Sequence, residues 1–309
     1  MARYYIGTAG WSYKDWEGIV YPQRKPQGFH PLLLLAQYIN IVEINSTFYR
    51  PPPIQMTLSW IKRVADYPDF LFSIKLHQVF THKRKGFTQK DIDNFKFGIE
   101  PLRAKSKLAS ILIQFPWSFI NTIAHIEYLT SLFKSFGDFP LTLEVRHSSW
   151  NTPNFFELLS EHKVCFCNID QPIFRNSIKP SAISTNPDFS YVRLHGRNYE
   201  NWFKKNAGRD ERYNYLYAKE ELEDWVKKIK DLGNQSKKVL VITNNHYRGQ
   251  ALANALQIKN LITNEKLEIP YPLLTQYPVL KEIVEKIKRG QFDLFEEEEE
   301  EKEKEKNKE

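Results

Sequence analysis

The chain has 309 residues, of which 41% are hydrophobic and 14% aromatic, and its formal net charge is +7. This length suits one barrel domain of roughly 250 residues with an appendage. The N-terminus has no basic region followed by a long apolar stretch, and no run of about 18 apolar residues occurs. Neither export nor membrane spanning is therefore indicated, and we expect a cytoplasmic protein.

The charge is distributed unevenly along the chain. Residues 296–309 contain nine Glu and four Lys, a net charge of −5, so the rest of the chain carries +12. We expect this acidic tail to be disordered because it has no hydrophobic residue to bury. The basic body is typical of proteins that bind phosphates or anionic surfaces.

Short runs of β-branched and aromatic residues alternate with longer amphipathic segments. The predicted strands are Tyr4–Gly7, Ile41–Ile44, Phe70–Leu76, Ala109–Phe115, Leu141–Val145, Val164–Ile169, Tyr191–Leu194 and Val239–Thr243. The predicted helices are Ile54–Ala65, Asp91–Lys105, Ile123–Phe136, Phe155–His162, Lys219–Leu232 and Gln250–Leu261. Cys165 and Cys167 lie within the sixth strand and are interpreted as buried thiols.

Eight strands in alternation with helices predict a parallel sheet that closes into a (β/α)8 barrel. An open doubly wound sheet is the alternative, although the first strand is not followed by a glycine-rich dinucleotide fingerprint. We assign residues 1–264 to the barrel, 265–295 to a C-terminal extension and 296–309 to the acidic tail. Within the extension we predict a helix over Val279–Lys288.

Polar residues follow the apolar strands in pairs two residues apart. Residues i and i+2 share one face of a strand, and the carboxyl ends of barrel strands form the usual catalytic face. The catalytic candidates are Glu43, Glu144, Asp170 and His195. The substrate-binding candidates are Asn45, Tyr49, Lys75, Gln114, Arg146, Arg193, Arg197, Trp202, Asn244 and Asn245.

Two loops are rich in basic residues. The segment Gly196–Tyr215 interleaves Lys and Arg with aromatic residues, and it is interpreted as a lid or binding loop that could stack bases or sugars. The basic loop Thr81–Gly86 is compatible with contacts to a nucleic-acid backbone or with simple solvation.

These motifs resemble the YecE-like family, also named domain of unknown function 72, over about Tyr5 to Leu261. The residues that carry the resemblance are Gly7-Thr8-Ala9-Gly10-Trp11-Ser12-Tyr13, Trp16, Tyr21-Pro22, Val42-Glu43-Ile44-Asn45-Ser46-Thr47-Phe48-Tyr49, Gln114-Phe115-Pro116, Glu144-Val145-Arg146, Ser149-Trp150, Tyr191-Val192-Arg193-Leu194-His195-Gly196, and Asn244-Asn245 before Ala251–Ala255. The resemblance implies a TIM barrel with a cavity formed by the polar positions, and it implies no particular reaction.

The favoured functional interpretation is an enzyme acting on a phosphate-containing small molecule or a nucleic acid by acid–base or metal-assisted hydrolysis. In it Glu144 or Glu43 is the acid or base, and Arg146, Arg193 and Lys75 hold the anion. A divalent metal is compatible with Glu43, Glu144, Asp170, His77 and His195, but no ligand-spacing motif identifies its site.

Two alternatives remain open. Glycoside hydrolysis would use Glu43 and Glu144 as the two carboxylates, with Trp11 and Trp202 as platforms. A non-catalytic adaptor would use Gln291, Leu294 and Phe295, within Gln291-Phe292-Asp293-Leu294-Phe295, because this segment resembles the peptides that dock on DNA sliding clamps.

Overall fold

A computed structural model describes residues 2–204 and 208–288. The clamp-like segment Gln291–Phe295 and the acidic tail lie outside these described residues. Within them, no helix combines the length and the apolar character needed to cross a membrane.

The eight predicted strands are present and close into a parallel barrel, as expected. They are β1 (Arg3–Ala9), β2 (Ile41–Ile44), β3 (Leu71–Lys75), β4 (Leu108–Gln114), β5 (Leu141–Glu144), β6 (Cys165–Asp170), β7 (Ser190–Leu194) and β8 (Lys238–Thr243). Each strand pairs with the next, and β1 pairs with β8 through the register Tyr4↔Val239. Closure leaves no open sheet edge in the barrel.

Most of the helices pack an apolar face against the barrel. The helices are α1 (Pro31–Leu35), α2 (Ile54–Arg63), α3 (Gln89–Ala104), α4 (Ile123–Phe136), α5 (Pro153–Glu161), α6 (Arg209–Arg212), α7 (Lys219–Gly233), α8 (Gln250–Thr263) and α9 (Tyr271–Gln276). Helix α8 is buried over residues 251–258. Side-chain caps fix some helix ends. Thr122 caps the N-terminus of α4, because its hydroxyl oxygen accepts a hydrogen bond from the backbone amide of His125. The connection from β6 to β7 contains no helix, so the alternation is incomplete there.

The helix predicted over Val279–Lys288 is wrong. Pro278–Glu282 forms a 3-10 turn, and Val284–Lys288 is a strand, β10, which pairs in parallel with β9 (Leu267–Pro270). The exposed edge of β9 offers backbone partners that a short, weakly amphipathic segment accepts in preference to helix formation. The extension is anchored on the barrel by buried apolar residues such as Ile269, Leu273 and Leu280.

Both cysteines are buried thiols on β6, as expected. Burial raises the pKa of Cys167 well above its usual value, and also raises that of Cys165, so neither thiol is a reactive thiolate.

Candidate active site

A buried ionic network occupies the carboxyl end of the barrel. Arg193 on β7 donates from Nη2 to Oε1 of Glu43 on β2 at 2.7 Å, and from Nη1 to Oε2 of Glu144 on β5. The side chains of all three residues are at most 2% exposed. The barrel makes this network possible because the inward faces of strands on opposite sides of the mouth converge.

The remaining carboxylate oxygens are also bonded. Oε1 of Glu144 accepts from Nε and Nη2 of Arg146 at 3.0 and 2.9 Å, and it lies 3.2 Å from Nε2 of His195. Oε2 of Glu43 accepts from the Tyr191 hydroxyl at 2.9 Å. Every carboxylate oxygen of Glu43 and Glu144 therefore has a protein partner.

This arrangement holds Glu144 ionised and His195 neutral. Burial alone would raise the pKa of Glu144, but Arg193, His195 and Arg146 lower it well below its usual value. Burial lowers the pKa of His195 to about 3, with Glu144 opposing this shift and both arginines reinforcing it. The neutral imidazole fits its contacts if Nε2–H donates to Glu144 while Nδ1 accepts from Nδ2 of Asn244 at 2.9 Å.

Two cavities open above the network, and they share Arg146 and Tyr213. The lysine cavity, of about 160 Å³, is lined by Tyr13, Asn45, Phe48, Tyr49, Lys75, Arg146, Arg193, Tyr213, Asn244 and His246. The tryptophan cavity, of about 280 Å³, is lined by His82, Gln114, Pro116, Trp117, Arg146, Trp202, Phe203, Arg212 and Tyr213. Cations and aromatic rings thus dominate both walls.

The cations raise the potential of the lysine cavity. Burial, reinforced by Arg193, lowers the pKa of Lys75 to about 7. Burial, reinforced by Lys75 and Arg146, lowers the pKa of His82 to about 4. Of these causes, the positive potential from the arginines favours an anion in the cavity, whereas burial disfavours charge of either sign.

Eleven of the fourteen site residues predicted from the sequence lie at the mouth. Eight line a cavity, and Glu43, Glu144 and His195 form the network beneath. Asp170, Arg197 and Asn245 line neither cavity. Arg197, after β7, bridges Asp170 on β6 at 2.9 Å and Glu221 on α7 at 2.7 Å. The Asn245 amide, after β8, donates to the Tyr215 carbonyl and to Asn254 on α8. These contacts therefore tie the loops after β7 and β8 to neighbouring elements.

Sequence reasoning missed Tyr191, Phe48 and His246. Tyr191 was detectable, since it stands two residues before Arg193 on the same face of β7 and so also points into the barrel. Phe48 ends a 3-10 turn after β2 and His246 precedes one after β8, and no periodic pattern marks either residue.

A larger cavity of about 500 Å³ lies at the opposite end of the barrel. Its wall includes Leu108, Leu141 and Leu240, at the amino-terminal ends of their strands, and none of the predicted site residues. Parallel barrels carry their chemistry at the carboxyl ends, so this cavity is not the candidate active site.

No group of three or more His, Cys, Asp and Glu side chains within residues 2–204 and 208–288 is placed to hold a metal ion. The carboxylates at the mouth have their oxygens engaged by arginine and tyrosine. The metal predicted as compatible with this site therefore has no evident set of ligands in the described structure.

Comparison with known proteins identifies the family. The sequence profile described as "Protein of unknown function DUF72" matches residues 5–276. The chain belongs to the DUF72 family. The match confirms the resemblance found from the motifs, and it extends past the barrel into the C-terminal extension.

Relatives agree with this assignment. The UPF0759 protein YunF of Bacillus subtilis is 33% identical over 278 residues, covering 84% of this chain and 95% of YunF. The crystal structure of a DUF72 family protein from Thermotoga maritima superimposes with a TM-score of 0.74 at 36% identity, covering 84% of this chain and 99% of that one. The crystal structure of a DUF72 family protein from Enterococcus faecalis superimposes with a TM-score of 0.74 at 26% identity, covering 85% of this chain and 96% of that one.

Proposed function

We propose that this DUF72 protein is an enzyme whose barrel mouth binds a phosphate-bearing small molecule and acts on it by acid–base chemistry. The observation that carries the proposal is the convergence of Lys75, Arg146 and Arg193 on one cavity whose neighbouring carboxylate oxygens are all bonded. The cations therefore face the cavity without a free carboxylate to compete with an incoming anion.

Individual groups support a bound anion. Nε of Arg193 is buried and has no hydrogen-bond partner among the described residues, although its two Nη groups are held by carboxylates. Arg146 is fixed by Glu144 yet remains 14% exposed at the junction of the two cavities. A fixed guanidinium is suited to phosphate because its planar donors are already oriented.

The cavity dimensions favour a small substrate. The two lobes, of about 160 and 280 Å³, reach the size of a small-molecule site only when taken together, and they admit no duplex. Tyr213 and Trp202 give the second lobe ring faces on which a sugar or base would stack. A terminal nucleotide of a single strand would also fit this chemistry, and nucleic acid is therefore included in the test.

The acid–base role belongs to Lys75 under this proposal. Its pKa of about 7 lets it exchange a proton near neutral pH. Glu43 and Glu144 act as positioning residues that fix Arg193 and Arg146. Hydrolysis of a phosphate ester, with Lys75 as the base that activates water, is the reaction to test first.

The same contacts do not support glycoside hydrolysis, which needs one carboxyl group to be protonated near neutral pH. Glu144 has a strongly lowered pKa, and both oxygens of Glu43 accept hydrogen bonds from Arg193 and Tyr191. The sliding-clamp hypothesis stays a prediction, because Gln291, Leu294 and Phe295 are not among the described residues.

Binding and turnover should be measured separately. Calorimetric titration with inorganic phosphate and phosphorylated sugars should show affinity that falls about ten-fold in Arg146→Gln, a loss of about 1.4 kcal/mol. Lys134→Gln, at an exposed position on α4, is the matched control and should bind as the parent does.

Turnover is followed as phosphate release from phosphomonoesters and as cleavage of end-labelled single-stranded DNA and RNA. Each assay is run with EDTA and with Mg²⁺, Mn²⁺ or Zn²⁺. Lys75→Met should abolish whichever of the two activities the parent shows. Binding that Arg146→Gln leaves unchanged, or the absence of any phosphate binding, would refute the proposal.

A further inference from the structure

Lys75 has an unusual position for a charged residue. It ends β3 and its side chain enters the lysine cavity, where Nζ lies 4.4 Å from the centre of the Phe48 ring. Within the described residues, Nζ makes no hydrogen bond and no ion pair. Most buried lysines are paired with a carboxylate, because an unpaired ammonium is costly to desolvate.

The carboxylates that act on Lys75, those of Glu144 and Glu43, are bonded to other groups. Oε1 of Glu144 is shared by Arg146 and His195, while Oε2 is taken by Arg193. The two oxygens of Glu43 are taken by Arg193 and Tyr191. Lys75 is therefore not a member of the ionic network, and its amine is left facing the cavity.

We propose that Lys75 is a covalent catalytic residue, whose amine condenses in the lysine cavity with the carbonyl group of a phosphorylated aldehyde or ketone. Nζ attacks the carbonyl carbon, the new carbon–nitrogen bond forms, and the carbonyl oxygen leaves as water with the two protons of the amine. The product is an imine, which on protonation withdraws electrons from the adjacent carbon–carbon and carbon–hydrogen bonds. No oxidant, reductant or metal is required.

The charges around Lys75 favour the reactive form of its amine. The charged groups that act on Lys75 are Glu43 on β2, Arg193 on β7, and Glu144 and Arg146 at the end of β5; His82, after β3, is affected by Lys75 in turn. Burial and the arginines outweigh the carboxylates and lower the pKa of Lys75 to about 7. About half of the amine is then unprotonated at pH 7, compared with roughly one molecule in 3,000 for an ordinary lysine.

The phosphate requirement comes from the same site. Arg146 and Arg193 line the cavity together with Lys75. A phosphate held by these groups would deliver a carbonyl in the same small molecule to Nζ. This inference rests on the proposed function for the anion-binding role of the two arginines. For a carbonyl substrate it replaces the general-base role of Lys75 with that of a nucleophile.

Reductive trapping tests the imine directly. The intact protein is incubated at pH 7 with glycolaldehyde phosphate and sodium cyanoborohydride, and the adducts are located by peptide mass mapping. Lys75 should be labelled at least about ten-fold faster than the average exposed lysine, given its larger amine fraction. The preference should shrink as the pH is raised to 10, where exposed lysines also lose their protons.

Matched reagents and variants test the phosphate requirement and the covalent step separately. Glycolaldehyde, which lacks the phosphate, should label Lys75 about ten-fold more slowly, and inorganic phosphate should compete with the phosphorylated probe. Lys75→Arg places a permanent positive charge at this position, so it should still bind inorganic phosphate while it forms no adduct there. Arg146→Gln should lose the preference for the phosphorylated probe.

The outcomes distinguish this inference from the proposed function. Labelling of Lys75 at the rate of exposed lysines, with phosphate binding intact and dependent on Arg146, would overturn the imine and leave the phosphate site standing. Equal labelling together with no phosphate binding would overturn both. Selective labelling that phosphate blocks would support both.

Discussion

Arg193 is the residue on which the mouth of the barrel depends. It binds Glu43 and Glu144 at once, and all three side chains are almost entirely buried. Such a network gains little over an apolar core when it is complete, but it becomes expensive when one member is removed. Its value lies in fixing Arg193, and through Glu144 also Arg146, in one orientation.

We therefore expect Arg193→Met to lower the free energy of unfolding by about 3–5 kcal/mol, because two buried carboxylates lose their common partner. Urea unfolding measures this loss. The control, Arg103→Met, breaks an exposed pair with Glu100 on α3 and should cost at most about 1 kcal/mol. Adding Glu43→Gln and Glu144→Gln to Arg193→Met should restore part of the stability, and equal losses in Arg193→Met and the control would contradict the argument.

At the residue scale, the spacing of polar residues two apart located most of the mouth. Glu43, Asn45, Glu144 and Arg146 were recognised because strand geometry places i and i+2 on one face. Roles were not recognisable in this way. Glu144 was predicted as an acid or base, and only its contacts with Arg193, Arg146 and His195 reveal an ion held in its charged form.

At the element scale, close approach of β1 and β2 sets the geometry of the first side of the barrel. Gly7 is in register with Ile41, and a Cβ atom on Gly7 would lie 1.7 Å from the Ile41 carbonyl oxygen. Only a residue without a side chain permits this approach. The Gly10 amide, just after β1, donates to the carbonyl oxygen of Glu43 at 2.7 Å. A displaced β1 would therefore also disturb the mouth.

Gly7→Ala should accordingly cost about 3 kcal/mol or more, since the strands must separate to admit the methyl group. Thermal and urea unfolding both report this change. In Gly208→Ala the added Cβ meets no heavy atom within 4 Å and the backbone φ is −61°, so only the weaker N-cap of the short α6 should be lost, at a cost of at most about 1 kcal/mol. A Gly7→Ala protein as stable as this control would show that β1 and β2 can move apart freely.

The C-terminal extension shows why an element cannot always be identified from its own residues. Val284–Lys288 is short, so its local preference is weak, and its conformation is decided by the backbone groups of β9 beside it. The long helices α3, α4 and α7 were predicted correctly because each carries its own periodic apolar face over at least fourteen residues.

At the scale of the whole molecule, histidines in separate elements make stability depend on pH. Burial lowers the pKa of His30 before α1 and of His82 near the mouth to about 4, and that of His195 after β7 to about 3. Each binds a proton more tightly when the chain is unfolded. Their contributions are therefore complete above about pH 6.5 and are lost as the pH falls toward 4 and below.

The melting temperature should thus fall steadily between pH 6.5 and pH 4. Glu144 stays ionised across this window, so it does not cause the fall. His82→Asn removes the contribution of His82 to this pH dependence. Between pH 6.5 and pH 4 the free energy of unfolding of the variant should fall by about 1–2 kcal/mol less than that of the parent, a figure that allows for solvent screening of a half-buried group. Calorimetric scans at half-unit pH steps measure the slope, and identical slopes in the parent and the variant would contradict the assignment.

The sequence by itself determined the barrel and the location of its mouth. Eight apolar runs in alternation with amphipathic segments admit few arrangements, and the polar pairs at the strand ends are a local consequence of backbone geometry. The tertiary structure alone decided which side chains meet. Glu43, Glu144 and Arg193 are about 50 to 150 residues apart in the chain, and their pKa values depend on burial and on distances between strands, which no local pattern encodes.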